Sequence, residues 1–246
     1  MNRVVIGLIS LIGFVIAWQA IVVLGDYPEY ILPAPADVLA RGREAIASGV
    51  LWFHTAPTLA VIGLSLLIGI SLAIGLGVLL ARSHLAERVL SPYLVAAQAI
   101  PILALAPLLH IWFGPGLTAR IAICVLILVF PITIATLVGI RSTDPELVEM
   151  LGSLGARPTQ ITRTVEIPSA LPVIFGGLRV GVTLAVIGAV VAEWTGASAG
   201  LGVLINIANQ GLFDTPLMFV ALITLAVIGL LLYGTVSLLE RRFVVR

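Results

Sequence analysis

The sequence has no lysine, a single cysteine and few charges of either sign. Only 10% of its 246 residues are charged, whereas about 25% are charged in an ordinary soluble domain. The 13 arginines nearly balance the 12 acidic residues and form no basic block, which argues against a nucleic-acid-binding protein. The lone Cys124 excludes a disulfide framework and a cysteine-based metal site. Because a phosphate-binding loop needs a lysine, the chain cannot be an ATPase.

Long apolar runs dominate what is present. Hydrophobic residues make up 60% of the chain, against roughly 45–50% in soluble domains. Since a bilayer-spanning helix needs about 20 apolar residues, the length allows five to seven spans. We therefore predict an all-α membrane protein whose residues 1–246 form a single transmembrane domain. Its six predicted spans are 4–24, 55–81, 89–113, 117–140, 171–194 and 216–239. A cleaved signal peptide is the alternative for the first span, but no Ala-x-Ala site follows it.

The arginines predict the orientation of these spans. Cytoplasmic loops carry the excess of positive charge, and with six spans both termini lie on the same side. That side holds nine arginines, and the opposite side holds Arg41, Arg43 and Arg120. The nine are Arg3, Arg82, Arg88, Arg141, Arg157, Arg163, Arg241, Arg242 and Arg246. Both termini and the segment 141–167 are thus predicted to be cytoplasmic, while segment 25–53, with a short interfacial helix at 36–48, and loop 195–215 face outward.

Two stripes of small residues predict close helix packing. Ser65, Gly69, Ala73 and Gly77 recur every fourth residue on the second span, and Gly177, Gly181, Ala185 and Ala189 do so on the fifth. Small residues let membrane helices approach closely. The stripes favour either a static packed bundle or surfaces along which helices slide during transport.

The cytoplasmic segment 141–167 predicts a helix–turn–helix. Asp144 and Pro145 are typical of a helix start, Gly155 allows a turn, and 158–165 forms a second short helix that Pro168 ends. Such a protrusion is either a solvated connector or a rigid knob that fits a groove on a soluble partner.

The spacing within this segment favours the knob. Three residues separate Glu149-Met150-Leu151 from Gly155, and nine residues separate Gly155 from Val165-Glu166-Ile167-Pro168. This pattern resembles the signature of ABC importer permeases, Glu-Ala-Ala, three residues, Gly, nine residues and Ile-x-Leu-Pro. The spacing is intact, but Met150 and Leu151 replace two small alanines. The resemblance implies that the ATPase-docking residues are Glu149, Met150, Leu151, Gly155, Ala156, Val165, Ile167 and Pro168.

The resemblance extends over most of the chain. Three segments are similar to the permeases that import nitrate, sulfonates, taurine, riboflavin or thiamine precursors: 30–35, 101–114 and 192–202. This family implies a permease dimer in the cell membrane, two cytoplasmic ATPases and an external solute-binding protein. ATP and Mg²⁺ would be bound by the ATPases, and no cofactor or metal by this chain.

Four polar or amphipathic residues are candidates for the substrate path. A carboxylate within a span is costly and often functional, although Glu193 also fits an interfacial acid that reaches water. The other candidates are Gln98, Trp194 and Asn206. Arg179 either snorkels to the surface or guards an inner gate, and His110 fits an interface residue better than a ligand. Because no arginines cluster deep in the spans, a neutral heteroaromatic vitamin such as riboflavin or a thiamine-precursor pyrimidine is favoured over nitrate, taurine or a sulfonate.

Two other classes remain as alternatives. Residues 196–200, Gly-Ala-Ser-Ala-Gly, match a serine nucleophile elbow, but all three histidines lie far upstream, so a Gly/Ala-rich turn is the better interpretation. We therefore predict no catalytic residues. An ATP-independent secondary transporter is the second alternative, and the lack of an internal repeat counts against it.

Overall fold

In a computed structural model, residues 3–244 are described, with the backbone alone for residues 3, 4, 211 and 212. Arg246 and the side chain of Arg3, both counted for the orientation, lie outside this description. All regular structure within residues 3–244 is helical, which confirms the predicted all-α class.

The α-helices described follow one another through short connections. They are α1 Arg3–Gly25, α2 Pro35–Ala47, α3 Val50–Arg82, α4 His84–Ala99, α5 Ile102–Phe113, α6 Leu117–Arg141, α7 Pro145–Ser153, α8 Pro158–Ile161, α9 Ile167–Trp194, α10 Leu201–Asn206 and α11 Thr215–Phe243. A π-helical turn, Thr162–Glu166, joins α8 to α9, and a second, Ile207–Leu212, follows α10.

Five helical segments within the described residues are long and apolar enough to cross a membrane. A sixth span exists if α4 and α5, which meet at a bend of 102°, are one broken span. The predicted third span, 89–113, is therefore bent rather than straight. Pro101 explains the bend, because its ring forces the preceding Ile100 into an extended conformation (φ −79°, ψ 123°) and removes a backbone donor.

The chain divides into two compact units, and the first consists of Met1–Pro57 and Ser198–Ala226. In this unit the Trp18 ring stacks on Phe219 with centroids 5.5 Å apart, and its indole N–H donates to the Pro33 carbonyl (3.1 Å). The prediction that residues 195–215 form a loop is wrong in part, because residues 201–206 form α10. Leu201 and Leu204 of this helix are buried. The polar residues nearby in the sequence gave no sign of a buried helix.

The second unit consists of Thr58–Ala197 and Val227–Arg246 and is built around α6. Both predicted small-residue stripes pack against this one helix. A Cβ atom added to Gly77 of α3 would lie 2.4 Å from Thr136 Cβ, and one added to Gly177 of α9 would lie 2.2 Å from Ala135 Cβ. The glycines therefore set how closely α3 and α9 approach α6.

Candidate functional site

The segment after α6 begins with the predicted helix and the predicted turn at Gly155. The Asp144 carboxylate accepts a hydrogen bond from Glu146 N–H (2.9 Å) and caps α7, with Pro145 in the first turn. Gly155 then adopts φ +79°, and Ala156 N–H donates to the Leu151 carbonyl (3.0 Å). A left-handed residue with such a bond is a standard way to end a helix, and glycine adopts it without steric cost.

An exposed apolar face runs along α7. Leu147, Met150 and Leu154 are 42%, 52% and 76% exposed, and their spacing of three or four residues places them on one side of the helix. Glu149 is also exposed, and no residue of α7 is buried within the chain. An amphipathic helix that buries nothing in its own chain is suited to a groove on another protein.

The second half of the segment differs from the prediction. Pro168 does not end a short helix, because the chain continues as one helical segment, Pro158–Trp194. The π-helical turn Thr162–Glu166 is the physical reason: Ile167 N–H donates to the Thr162 carbonyl five residues back. This wider turn makes room for the Pro168 ring, which would otherwise clash with a carbonyl of the preceding turn. Val165, Ile167 and Pro168, which the sequence predicts as docking residues, thus lie where a single helix begins its apolar run.

Arg82, the last residue of α3, binds both ends of this π-helical turn. Its guanidinium donates to Thr162 Oγ1 (2.9 Å) and to Glu166 Oε2 (2.5 Å). The Thr162 hydroxyl donates to the same Glu166 oxygen (2.7 Å), so the three side chains close a triangle. Sequence reasoning used Arg82 only for orientation, and no local spacing pointed to a partner about 80 residues away.

Two further ion pairs lie in the same unit. Arg141, the last residue of α6, makes two 2.7 Å hydrogen bonds to Glu87. Arg179 pairs with Glu240 and lies 5.7 Å from the Tyr233 ring centroid. Arg179 is therefore held by α11, an arrangement that neither of its predicted roles included.

Glu193 lies buried at the end of α9, with 1% of its surface exposed. Thr58 of α3, itself fully buried, donates its hydroxyl to Glu193 Oε1 (2.6 Å). This excludes the interpretation of Glu193 as an interfacial acid that reaches water. Its neighbour Trp194 is 45% exposed, so the two consecutive residues have different environments.

Gln98 lines an apolar cavity of about 510 Å³ beside the break between α4 and α5. Among the described lining residues it is the one polar side chain, and neither Glu193 nor Trp194 belongs to that lining. The predicted path residues Gln98 and Glu193 are thus not brought into one cavity of this unit. Asn206, the last residue of α10, lies partly buried in the other unit.

His110 lies near the end of α9. Its ring is buried, and a Cβ atom added to Gly196 would lie 2.5 Å from His110 Cδ2. His110 Nδ1 lies 2.9 Å from the carbonyl of Ala106, one turn earlier in its own helix. The imidazole therefore contributes to packing against the turn after α9.

In the first unit, a surface depression of about 550 Å³ surrounds an ion pair. Arg41 of α2 donates to Asp214 (2.7 Å), and Glu29, Tyr30 and Phe213 complete the lining. The hydrogen bond and charge of Asp214 raise the pKa of Arg41 above its ordinary value. This pair fixes α2 to the start of α11.

Comparison with known proteins identifies the family to which the chain belongs. Residues 69–245 match the model of the family described as "binding-protein-dependent transport system inner membrane component". The chain belongs to this family. The permease is thus a multi-pass membrane subunit of a transport system rather than an enzyme, as the residue spacing in segment 141–167 predicted.

Individual relatives agree with this assignment. The permease is 51% identical to the riboflavin transport system permease of Chloroflexus aurantiacus over 96% of this chain and 88% of the relative. It is 35% identical to the formylaminopyrimidine transport permease of Halalkalibacterium halodurans over 86% and 84% of the two chains. The fold resembles a chain of the inward-facing methionine ABC transporter with a TM-score of 0.68 and 22% identity, over 77% of this chain and 94% of that one.

Proposed function

We propose that this permease imports riboflavin or a closely related heteroaromatic vitamin precursor, as the membrane subunit of an ATP-driven importer. The observation that carries the proposal is the 51% identity to a riboflavin permease over nearly the whole chain, against 35% to a formylaminopyrimidine permease. The cavity beside Gln98 supports it, because its described lining is apolar with one amide and no arginine. Such a surface suits a flat neutral ring better than a small anion.

The exposed apolar face of α7 supports docking of a cytoplasmic ATPase. The docking residues in this proposal are Glu149, Met150, Leu151, Gly155, Ala156, Val165, Ile167 and Pro168. ATP and Mg²⁺ are bound by that ATPase, an external binding protein delivers the solute, and a second copy of this chain completes the permease. The whole chain then acts as one transmembrane domain with both termini in the cytoplasm.

The path residues in this proposal are Gln98, Glu193, Trp194 and Asn206. Gln98 offers the solute an amide in an apolar cavity, and the exposed face of Trp194 offers an aromatic surface. Buried Glu193 acts by holding α9 to α3 through Thr58. Asn206 contributes a partly buried amide on α10.

Uptake by the reconstituted transporter tests the substrate. Permease, ATPase and binding protein are placed in liposomes, and uptake of labelled riboflavin is measured with and without enclosed ATP. We expect uptake that needs ATP and that excess taurine, alkanesulfonate or nitrate does not abolish. ATP-driven uptake of a sulfonate or nitrate alone would overturn the substrate, and uptake that survives ATP depletion would support a secondary transporter instead.

The docking segment, which is α7 with the turn at Gly155, is tested by co-purification of the ATPase. Glu149→Arg combined with Gly155→Asp should abolish its retention, because the first reverses an exposed charge and the second places a side chain at φ +79°. Gly152→Ala is the matched control, since Gly152 lies in the same exposed segment within a regular helix. Equal retention by the double variant and the control would show that the ATPase docks elsewhere.

A further inference from the structure

A π-helical turn and a proline interrupt the regular α-helical hydrogen bonding between α7 and the membrane-spanning part of α9. Any displacement of α7 by a partner reaches α9 through residues 162–168. Here Pro168 contributes no backbone donor, and the Ile167 N–H reaches back five residues instead of four. With fewer regular backbone bonds, this turn bends more easily than the helix on either side.

The hydrogen bonds among Arg82, Thr162 and Glu166, called here the Arg82 triangle, span this turn from end to end. Thr162 and Glu166 are its first and last residues, and both are bound by the one guanidinium from α3. The bond from Thr162 to Glu166 closes the triangle within the turn itself. The side chains therefore replace the lost backbone bonds and join the end of α3 to the start of α9.

We propose that Arg82 is a positioning residue for energy coupling: with Thr162 and Glu166 it braces the π-helical turn, so that motion of the docking segment moves α3 and α9 together. The proposal rests on the proposed function of the docking segment. It concerns transmission of motion and not the docking itself, since Arg82 lies outside the exposed apolar face of α7.

The test measures solute transported per ATP hydrolysed in liposomes that contain permease, ATPase and binding protein, with labelled riboflavin as the probe. We expect Arg82→Gln and Glu166→Gln to lower this ratio by about 2- to 30-fold while the ATPase stays bound and hydrolyses ATP. Arg82→Lys, which keeps the charge, should recover part of the ratio, and Arg82→Glu with Glu166→Arg should recover more than either reversal alone. Glu87→Gln is the matched control, because it breaks an ion pair in the same unit that does not touch the π-helical turn.

The outcomes separate this proposal from the proposed function. If the unaltered permease fails to retain the ATPase or to carry riboflavin, the proposed function is wrong. If the unaltered permease does both, an unchanged ratio in Arg82→Gln, or an equal loss in Glu87→Gln, overturns the brace. Should Arg82→Gln fail to accumulate in membranes, Thr162→Val combined with Glu166→Leu removes both acceptors of the Arg82 guanidinium, and an unchanged ratio in that variant has the same meaning.

Discussion

The acidic side chain of Glu193 is buried, with 1% of its surface exposed, and burial of such a group is costly unless it is hydrogen-bonded. An acidic side chain within a membrane-spanning helix needs partners that replace water. Thr58 is one such partner, and it comes from a helix 135 residues away in sequence. This hydrogen bond therefore stabilises the buried Glu193 side chain and helps to hold α9 against α3.

Thr58→Val should destabilise the permease by about 0.5–2 kcal/mol, because it removes the hydroxyl without changing the volume greatly. Thermal unfolding in detergent measures the effect as a lower midpoint. Thr58→Ser is the control, since it retains the donor. Equal midpoints for the valine and serine variants would mean that the hydrogen bond adds nothing to stability.

At the scale of elements, glycine spacing determines how α6 receives its neighbours. Gly176 and Gly177 are adjacent on α9 but face different surroundings. A Cβ atom on Gly177 would lie 2.2 Å from Ala135 Cβ, whereas one on Gly176 meets nothing within 4 Å. Glycine is therefore required at position 177, where α6 leaves no room for a side chain, and not at position 176.

Gly177→Ala should destabilise the α6–α9 pair by about 1–3 kcal/mol, because α6 has to move away. Gly176→Ala should be neutral or stabilising by up to about 1 kcal/mol, since alanine favours helix. Melting midpoints of the two variants in detergent give the comparison. A Gly177→Ala permease as stable as Gly176→Ala would show that the interface tolerates wider spacing.

For the whole molecule, the arginine distribution predicts which ends of the helices face the cytoplasm. The buried Cys124, the single cysteine of the chain, leaves exposed positions free for reporter cysteines. Ser48 follows α2 in the segment predicted to face outward, and His84, whose side chain is 88% exposed, starts α4 on the predicted cytoplasmic side.

A membrane-impermeant maleimide should label Ser48→Cys in intact cells and label His84→Cys after lysis alone. The unaltered permease should stay unlabelled under both conditions, because Cys124 is buried. Labelling of His84→Cys in intact cells, with protection of Ser48→Cys, would reverse the orientation.

Much of the fold follows from local pattern. The long apolar runs marked the membrane helices, the small-residue stripes marked the faces that pack on α6, and Asp144-Pro145 with Gly155 marked the helix–turn–helix. The sequence-based predictions were wrong at two prolines and in one segment of mixed polar and apolar residues. Pro101 bends the third span, Pro168 is accommodated by a π-helical turn, and the loop 195–215 contains a buried helix.

The sequence by itself determined the class of protein, the helices and the spacing of the docking segment, because apolar length, helix periodicity and turn chemistry act over a few residues. Only the tertiary structure decided which distant side chains meet: Thr58 with Glu193, and Arg82 with Thr162 and Glu166. Such contacts depend on which helices pack side by side and at what rotation. That choice is made by the shape of whole helix faces, which no local spacing specifies.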